Sequence, residues 1–261
     1  MPNVLIVGAT RGLGYELAKR YAQREDSVYG TARTSQPANA HHDIRWITGI
    51  DVAEEEAGGK IARGLQGHKL DLVIITAGYF GKESFDEPDF TAEVKMYQTS
   101  AIAPVFVVHA LHKAGLLKSA AEGKTGTKII LVSSESGSIG LRHESEGGGN
   151  YAHHASKSAL NMVGKLLSLD LKKDNVAVGL VHPGFMRTEM TAGVGFDKYW
   201  DAGGAVTPDE AAKSLASWID DDFDMSKTGT YWAPRGAADI GTAEAMLGPK
   251  ENLPTPLELP W

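Results

Sequence analysis

The feature that most constrains this chain is the stretch Val4-Leu5-Ile6-Val7-Gly8-Ala9-Thr10-Arg11-Gly12-Leu13-Gly14. An unbroken apolar run from Val4 to Val7 reads as a strand buried on both faces, the pattern of a parallel sheet covered by helices. Gly8, Gly12 and Gly14 then permit a tight turn and let a ligand approach the backbone where a Cβ would block it. Beyond them, Leu17, Ala18 and Tyr21 recur at helical spacing within 15–23. Strand, glycine turn and helix N-terminus together make an anion site, because free amides and the helix dipole both point into the turn. The spacing is G-x-x-x-G-x-G rather than the G-x-G-x-x-G of most dinucleotide folds. Its place between such a strand and such a helix still favours a dinucleotide.

The rest of the chain repeats that alternation. Further strands are expected at 27–32, ending at Arg33, at 44–50, ending at Asp51, and at 70–75, ending in Thr76-Ala77-Gly78. Others follow at 128–133, 176–181 and 229–233. Helices are expected at 53–65, weakened by Gly58-Gly59, at 90–111, where Pro104 should kink or divide the helix, at 155–171 and at 208–219. Strands alternating with helices mean an α/β fold, a parallel sheet of about seven strands with helices on both faces. No repeat and no linker divides the chain, so residues 1–261 are read as one domain. Polar loops are expected at 119–127 and 142–150. The proline-rich C-terminal extension, about 237–261, should lie extended on the surface or against a neighbouring subunit.

Composition narrows the partners. A net charge of −7 argues against nucleic acid or an anionic membrane surface. With no cysteine, disulfides, thiolate metal sites and a cysteine nucleophile are excluded. Met1-Pro2-Asn3 lacks the basic region of a signal peptide, and no run reaches the roughly 18 apolar residues of a membrane span. A cytoplasmic protein is therefore expected. The histidines show no convincing ligand spacing, so no metal site is expected.

Taken in order, the Gly8/Gly12/Gly14 turn, Asp51-Val52, Ala77-Gly78, Ser133-Ser134, Ser156-Lys157 and Pro183-Gly184 with Thr188 resemble the short-chain dehydrogenase/reductase family over nearly the whole chain. Within it, Ala159-Leu160-Asn161-Met162 and Glu258-Leu259-Pro260-Trp261 look like the subgroup related to the bacterial C-factor signalling protein. The resemblance implies a single doubly wound Rossmann-type domain and a nicotinamide cofactor. Gly8, Thr10, Arg11, Gly12, Leu13 and Gly14 would cradle the pyrophosphate and ribose, and Asp51 and Val52 would receive the adenine. Ala77 and Gly78 would line the cofactor, while Pro183, Gly184 and Thr188 belong to the segment that holds the nicotinamide carboxamide. It also implies a homodimer or homotetramer, formed through the long helix at 101–112 and the helix at 155–171.

Cofactor choice has a physical side. NAD-preferring folds usually carry an acid at the end of the second strand, accepting from the ribose 2′-hydroxyl. Here that end is Thr31-Ala32-Arg33, and Arg33 with Arg11 can flank a 2′-phosphate through charge-assisted hydrogen bonds. NADP(H) is favoured over NAD(H).

The catalytic positions depart from the family pattern. A serine that polarises the substrate carbonyl matches Ser134, and the lysine that binds the nicotinamide ribose matches Lys157. The family tyrosine, four residues before that lysine on one helical face, is replaced by His153. Tyr151 lies six residues from Lys157, roughly 120° round the helix, and is expected only to line the site. The asparagine four residues before Pro104 is replaced by Ser100. Lys157 and an oxidised nicotinamide are both positive, so the His153 imidazole should stay neutral, a competent base and a poor acid. The loop at about 189–206 should close over a small, ring-containing substrate with Met190, Phe196, Tyr199 and Trp200. The expected reaction is hydride exchange with a carbonyl/alcohol pair or related unsaturated group, His153 handling the proton. A non-redox cyclisation or isomerisation in the same pocket, and a cofactor-binding protein without catalysis, stay open as alternatives.

Overall fold

The computed structural model describes residues 1–121 and 124–261, so part of the polar loop expected at 119–127 lies outside the described residues. An eight-stranded sheet runs in the order β3-β2-β1-β4-β5-β6-β7-β8. Its strands are β1 (Asn3–Val7), β2 (Ser27–Thr31), β3 (Ile44–Ile47), β4 (Leu72–Ile75), β5 (Lys128–Val132), β6 (Ala177–Val181), β7 (Tyr231–Ala233) and β8 (Leu257–Glu258). From β3 through β7 every pairing is parallel. The additional strand β8 runs antiparallel to β7, with Trp232 opposite Glu258 and Ala233 opposite Leu257.

The apolar run that opens the chain is explained by the two faces of β1. Leu5 and Val7 enter a core with Ile61, Leu111 and Leu160, while Val4 and Ile6 enter a second core with Leu17, Leu215 and Ile219. The first core lies under α2 (Ala57–Gly64), α4 (Ala103–Lys113) and α5 (Tyr151–Asp170), and the second under α1 (Gly12–Ala22) and α7 (Pro208–Asp221). Gly58, expected to weaken its helix, serves packing instead: a Cβ there would stand 2.6 Å from the Phe106 carbonyl oxygen of α4.

Four sequence expectations need correction. The helix expected at 53–65 begins only at Ala57. The one expected at 90–111 is three pieces, α3 (Phe90–Tyr97), a π-helical segment Gln98–Ile102, and α4. The division falls beside Pro104, as expected of that residue: the π-helical segment ends just before it, and Pro104 stands in the first turn of α4. The helix expected from 155 begins at Tyr151. Asn150 gives it no side-chain cap, and the buried Glu83 supplies one from 69 residues away in sequence, accepting from the Ala152 amide at 2.6 Å. Finally, the extension after 236 is not merely laid on the surface. It contains α8 (Ala243–Leu247) and β8, and it buries Ile240, Ala243, Leu257 and Leu259 in the first core.

Candidate active site

The neighbours β1 and β4 mark the point where the strand order reverses, and the crevice beyond their carboxyl ends is where doubly wound sheets bind ligands. Gly8 there has φ +93°, and a Cβ on it would lie 2.8 Å from Ala77 Cα. A Cβ on Gly14 would strike the Gly8 carbonyl and stand 2.6 Å from Thr76 Oγ1. The turn is also fastened sideways. Thr76 Oγ1 lies 3.0 Å from both the Val7 and Gly8 carbonyl oxygens, and the Gly8 amide donates to Thr31 Oγ1 at 2.9 Å. Arg11, the N-cap of α1, makes no side-chain cap, and the first turn holds no acid. The N-terminus of α1 thus opens beside the glycine turn with no carboxylate in its own first turn, which fits a pyrophosphate.

After β3, Asp51 Oδ1 accepts from the Ala53 amide at 3.0 Å, and half-buried Val52 packs on the first core. Arg33 is exposed at the end of β2. Arg11 is exposed too, but its guanidinium reaches Glu189 at 2.9 Å, at the start of α6 (Glu189–Gly193). At the other end, Pro183 and Gly184 are buried after β6, and the Phe185 amide donates to Asp239 Oδ2 at 2.5 Å. Thr188 caps α6 by accepting from the Thr191 amide at 3.2 Å.

Ser134 follows β5 and caps a short 3-10 turn, Glu135–Gly137, accepting from the Ser136 amide at 3.3 Å. That turn lies against α5 so closely that a Cβ on Gly137 would stand 2.7 Å from the Lys157 carbonyl carbon. Ser158 Oγ and Asn161 Nδ2 both donate to the Gly137 carbonyl, at 2.8 and 3.2 Å, and Ser133 Oγ donates to Asn161 Oδ1 at 2.6 Å. Lys157 Nζ donates to the Val132 carbonyl at 2.9 Å, and burial lowers its pKa to about 8. One turn earlier, the His153 ring lies on Phe80 with centroids 4.2 Å apart. Burial first, then the charges of Lys157, His154 and Arg142, push the His153 pKa down to about 3. Ser100 is buried within the π-helical segment that packs against α5, a backbone irregularity of a kind frequent at functional sites.

The loop at 189–206 divides its aromatic residues. Phe196 meets Phe80 edge-on at 5.6 Å, so Phe196, Phe80 and His153 form one aromatic corner. Tyr199 and Met190 are exposed, and Tyr199 also meets Phe196 edge-on. Trp200 is used by the loop itself: its indole N–H donates to Thr191 Oγ1 at 3.2 Å, with the Arg187 guanidinium over its ring. Tyr151 opens α5 and is 43% exposed, off the face that carries His153 and Lys157.

Sequence reasoning misses Phe80, Asn161 and Glu83. Asn161 is detectable, since residues 153, 157 and 161 share one helical face. Phe80 and Glu83 sit in an irregular segment after β4 and carry no periodic signal. Among the described residues, one group has metal-ligand types close together, His41, His42 and Asp43, with ligand atoms within 4.8 Å of one another on a surface loop. No helix among the described residues is long and apolar enough to cross a membrane.

A glycine cradle at the switch point thus stands beside a serine turn and a lysine on the adjoining helix. The short chain dehydrogenase model matches residues 2–198, and the chain belongs to that family. It is 29% identical over 222 residues to the 1-hydroxy-2-glutathionyl-2-methyl-3-butene dehydrogenase of a Rhodococcus species, covering 84% of this chain and 91% of that protein. Its fold is similar to the carbonyl reductase Sniffer of D. melanogaster, with TM-score 0.76 and 24% identity over the full length of both chains. It is also similar to the NADPH-bound carbonyl reductase from chicken fatty liver, with TM-score 0.74, 23% identity and coverage of 89% and 96%.

Proposed function

We propose that this chain is an NADP(H)-dependent oxidoreductase acting on a carbonyl/alcohol pair in a small molecule that presents a flat, apolar ring. The observation that carries the proposal is the face of α5 on which His153, against Phe80, stands one turn before the half-buried Lys157. The amides at 10–13 would hold the pyrophosphate, Lys157 the nicotinamide ribose, and the buried Pro183-Gly184 turn with Thr188 the carboxamide. When bound, the nicotinamide supplies the hydride acceptor or donor. Preference for the 2′-phosphate rests on exposed Arg33 at an acid-free strand end. The fold neighbour with NADPH bound is consistent with it.

Magnitudes assign the roles. An imidazole with a pKa near 3 is neutral at pH 7, a weak base whose N–H still donates a hydrogen bond. His153 therefore binds and polarises the substrate oxygen together with the Ser134 hydroxyl. Lys157, at about 8, has the pKa suited to exchanging the proton near neutrality. Phe80 and Phe196 supply the apolar wall for the ring. Elsewhere on the surface, Ile102 just before α4, Phe106 of α4, and Met162, Leu166 and Leu169 of α5 are exposed, which supports a homo-oligomer through these helices.

The test is a titration with NADPH and NADH beside an aryl ketone and aryl alcohol panel. NADPH should bind more tightly, and Arg33→Ala should reduce that preference about tenfold, the loss of one charge-assisted contact. Equal affinity for the two cofactors would end the NADP(H) assignment. Conversion of substrate without cofactor oxidation would replace the redox proposal with a rearrangement in the same pocket. Sedimentation as a monomer at every concentration would remove the oligomer.

A further inference from the structure

The strand pair β7–β8 touches the serine turn from behind. Tyr231 opens β7, is completely buried, and its hydroxyl donates to the Ser134 carbonyl. The same carbonyl accepts from the Gly137 amide at 2.8 Å, so a side-chain donor and a main-chain donor converge on the Ser134 oxygen. Tyr231 is in turn held by the last strand. Its carbonyl accepts from the Leu259 amide at 2.8 Å, and the Trp261 ring stacks on its ring with centroids 6.0 Å apart and planes 20° apart. The Trp261 main-chain oxygen accepts from the Gly140 amide at 2.9 Å, and Gly140 fits under Pro260 so tightly that a Cβ would approach it to 3.1 Å. Segment 259–261 thus grips the stretch 134–140 at two points, directly at Gly140 beyond the serine turn and through Tyr231 at Ser134.

We infer that Tyr231 is a positioning residue for Ser134, and that Pro260-Trp261 clamps it there. A buried hydroxyl is costly to keep unless it has a partner, and here its partner is the peptide that fixes the backbone of the serine. A phenylalanine would fill the same space in β7 without that bond. The aim of the Ser134 hydroxyl at a substrate oxygen therefore depends on a residue that touches neither substrate nor cofactor. Small displacements of such a group are expensive in rate, up to about a hundredfold for an ångström. The inference rests on Ser134 binding the substrate oxygen, as proposed above.

The test compares Tyr231→Phe, Trp261→Ala, Trp261→Phe and Ser134→Ala, using NADPH with an aryl ketone. Tyr231→Phe should lower kcat about tenfold with NADPH affinity unchanged. Trp261→Ala should show the same signature more weakly, and Trp261→Phe should restore wild-type rates because the stack survives. Independently of turnover, amide hydrogen exchange at Gly137 should quicken in Tyr231→Phe, while amides of α7 exchange as in the wild type. Unchanged Gly137 protection in Tyr231→Phe overturns the inference. So does an unchanged kcat in that variant when Ser134→Ala is crippled, an outcome that leaves the role of Ser134 standing. Full activity in Ser134→Ala removes both.

Discussion

A Cβ added at Gly14, on the proposed dinucleotide side of the crevice, would strike the Gly8 carbonyl, whereas one added at Gly193, on the proposed substrate side, would meet open space. The same contrast runs through both regions. On the dinucleotide side, β1, β2 and β4 lock the turn through Thr31 and Thr76, and the strand residues beneath it are fully buried. On the substrate side, α6 and the loop to 206 hold themselves together by local contacts, the Thr188–Thr191 capping box, the Trp200–Thr191 bond and the exposed Arg187–Asp201 pair. The first region is a rigid shape into which a constant ligand fits. The second is lightly attached, as a surface that must admit and release a substrate should be.

The comparison is sharpened most by the groups between the two regions. Ser134→Ala should lower kcat by about 10² to 10³, the usual cost of one hydrogen-bond donor to a developing oxyanion, with NADPH affinity kept. Steady-state kinetics beside a binding titration reads both, and a parallel loss of cofactor affinity would place Ser134 on the wrong side of the divide.

Next in size is Gly14→Ala. The new methyl must move main chain rather than a side-chain end, so we expect a loss of at least about 3 kcal/mol of stability, against the 1–3 typical of overpacking. A denaturant melt close to that of the wild type would show that the turn is less rigid than its packing implies.

His153 gives a smaller effect, confined to acid. Its folded pKa of about 3 lies below the ordinary 6.5, so between these values the unfolded chain binds the proton and the folded one does not. The stabilisation is complete above pH 6.5 and is lost as pH falls toward 3, about 2 kcal/mol being gone by pH 5. His153→Phe keeps the stack on Phe80 and should flatten that part of the stability profile. A wild-type profile already flat from pH 7 to 5 would mean that the imidazole is protonated in the folded protein.

The smallest effect is expected at Gly193→Ala, whose melting should stay within about 0.5 kcal/mol of the wild type, as for a surface position with free space. A large loss there would abolish the contrast between the two regions.

Much of the dinucleotide side is legible in the amino-acid sequence alone. A buried strand must be an apolar run, and a turn that closes against its neighbours must be glycine, so both leave marks in consecutive residues. The spacing of His153 and Lys157 is equally legible, because helical periodicity alone places them on one face. Three things were decided by tertiary structure. The start of α5 escapes the sequence because Asn150 does not cap it, and Glu83 does so from a distant loop. The depth of the His153 pKa shift escapes it because burial, its largest cause, is contributed by distant packing such as the Phe80 ring. The last strand escapes it because Leu257-Glu258-Leu259, closed in by Pro256 and Pro260, is too short a run to read as a strand, and only Trp232 and Ala233 of β7 give Leu257-Glu258 a partner. Local physics writes itself into neighbouring residues, so the sequence by itself determined the parallel strands, the glycine turn and the α5 face that carries His153 and Lys157. Caps, desolvation and edge pairing arise between residues far apart in the chain, and only the folded molecule brings those residues together.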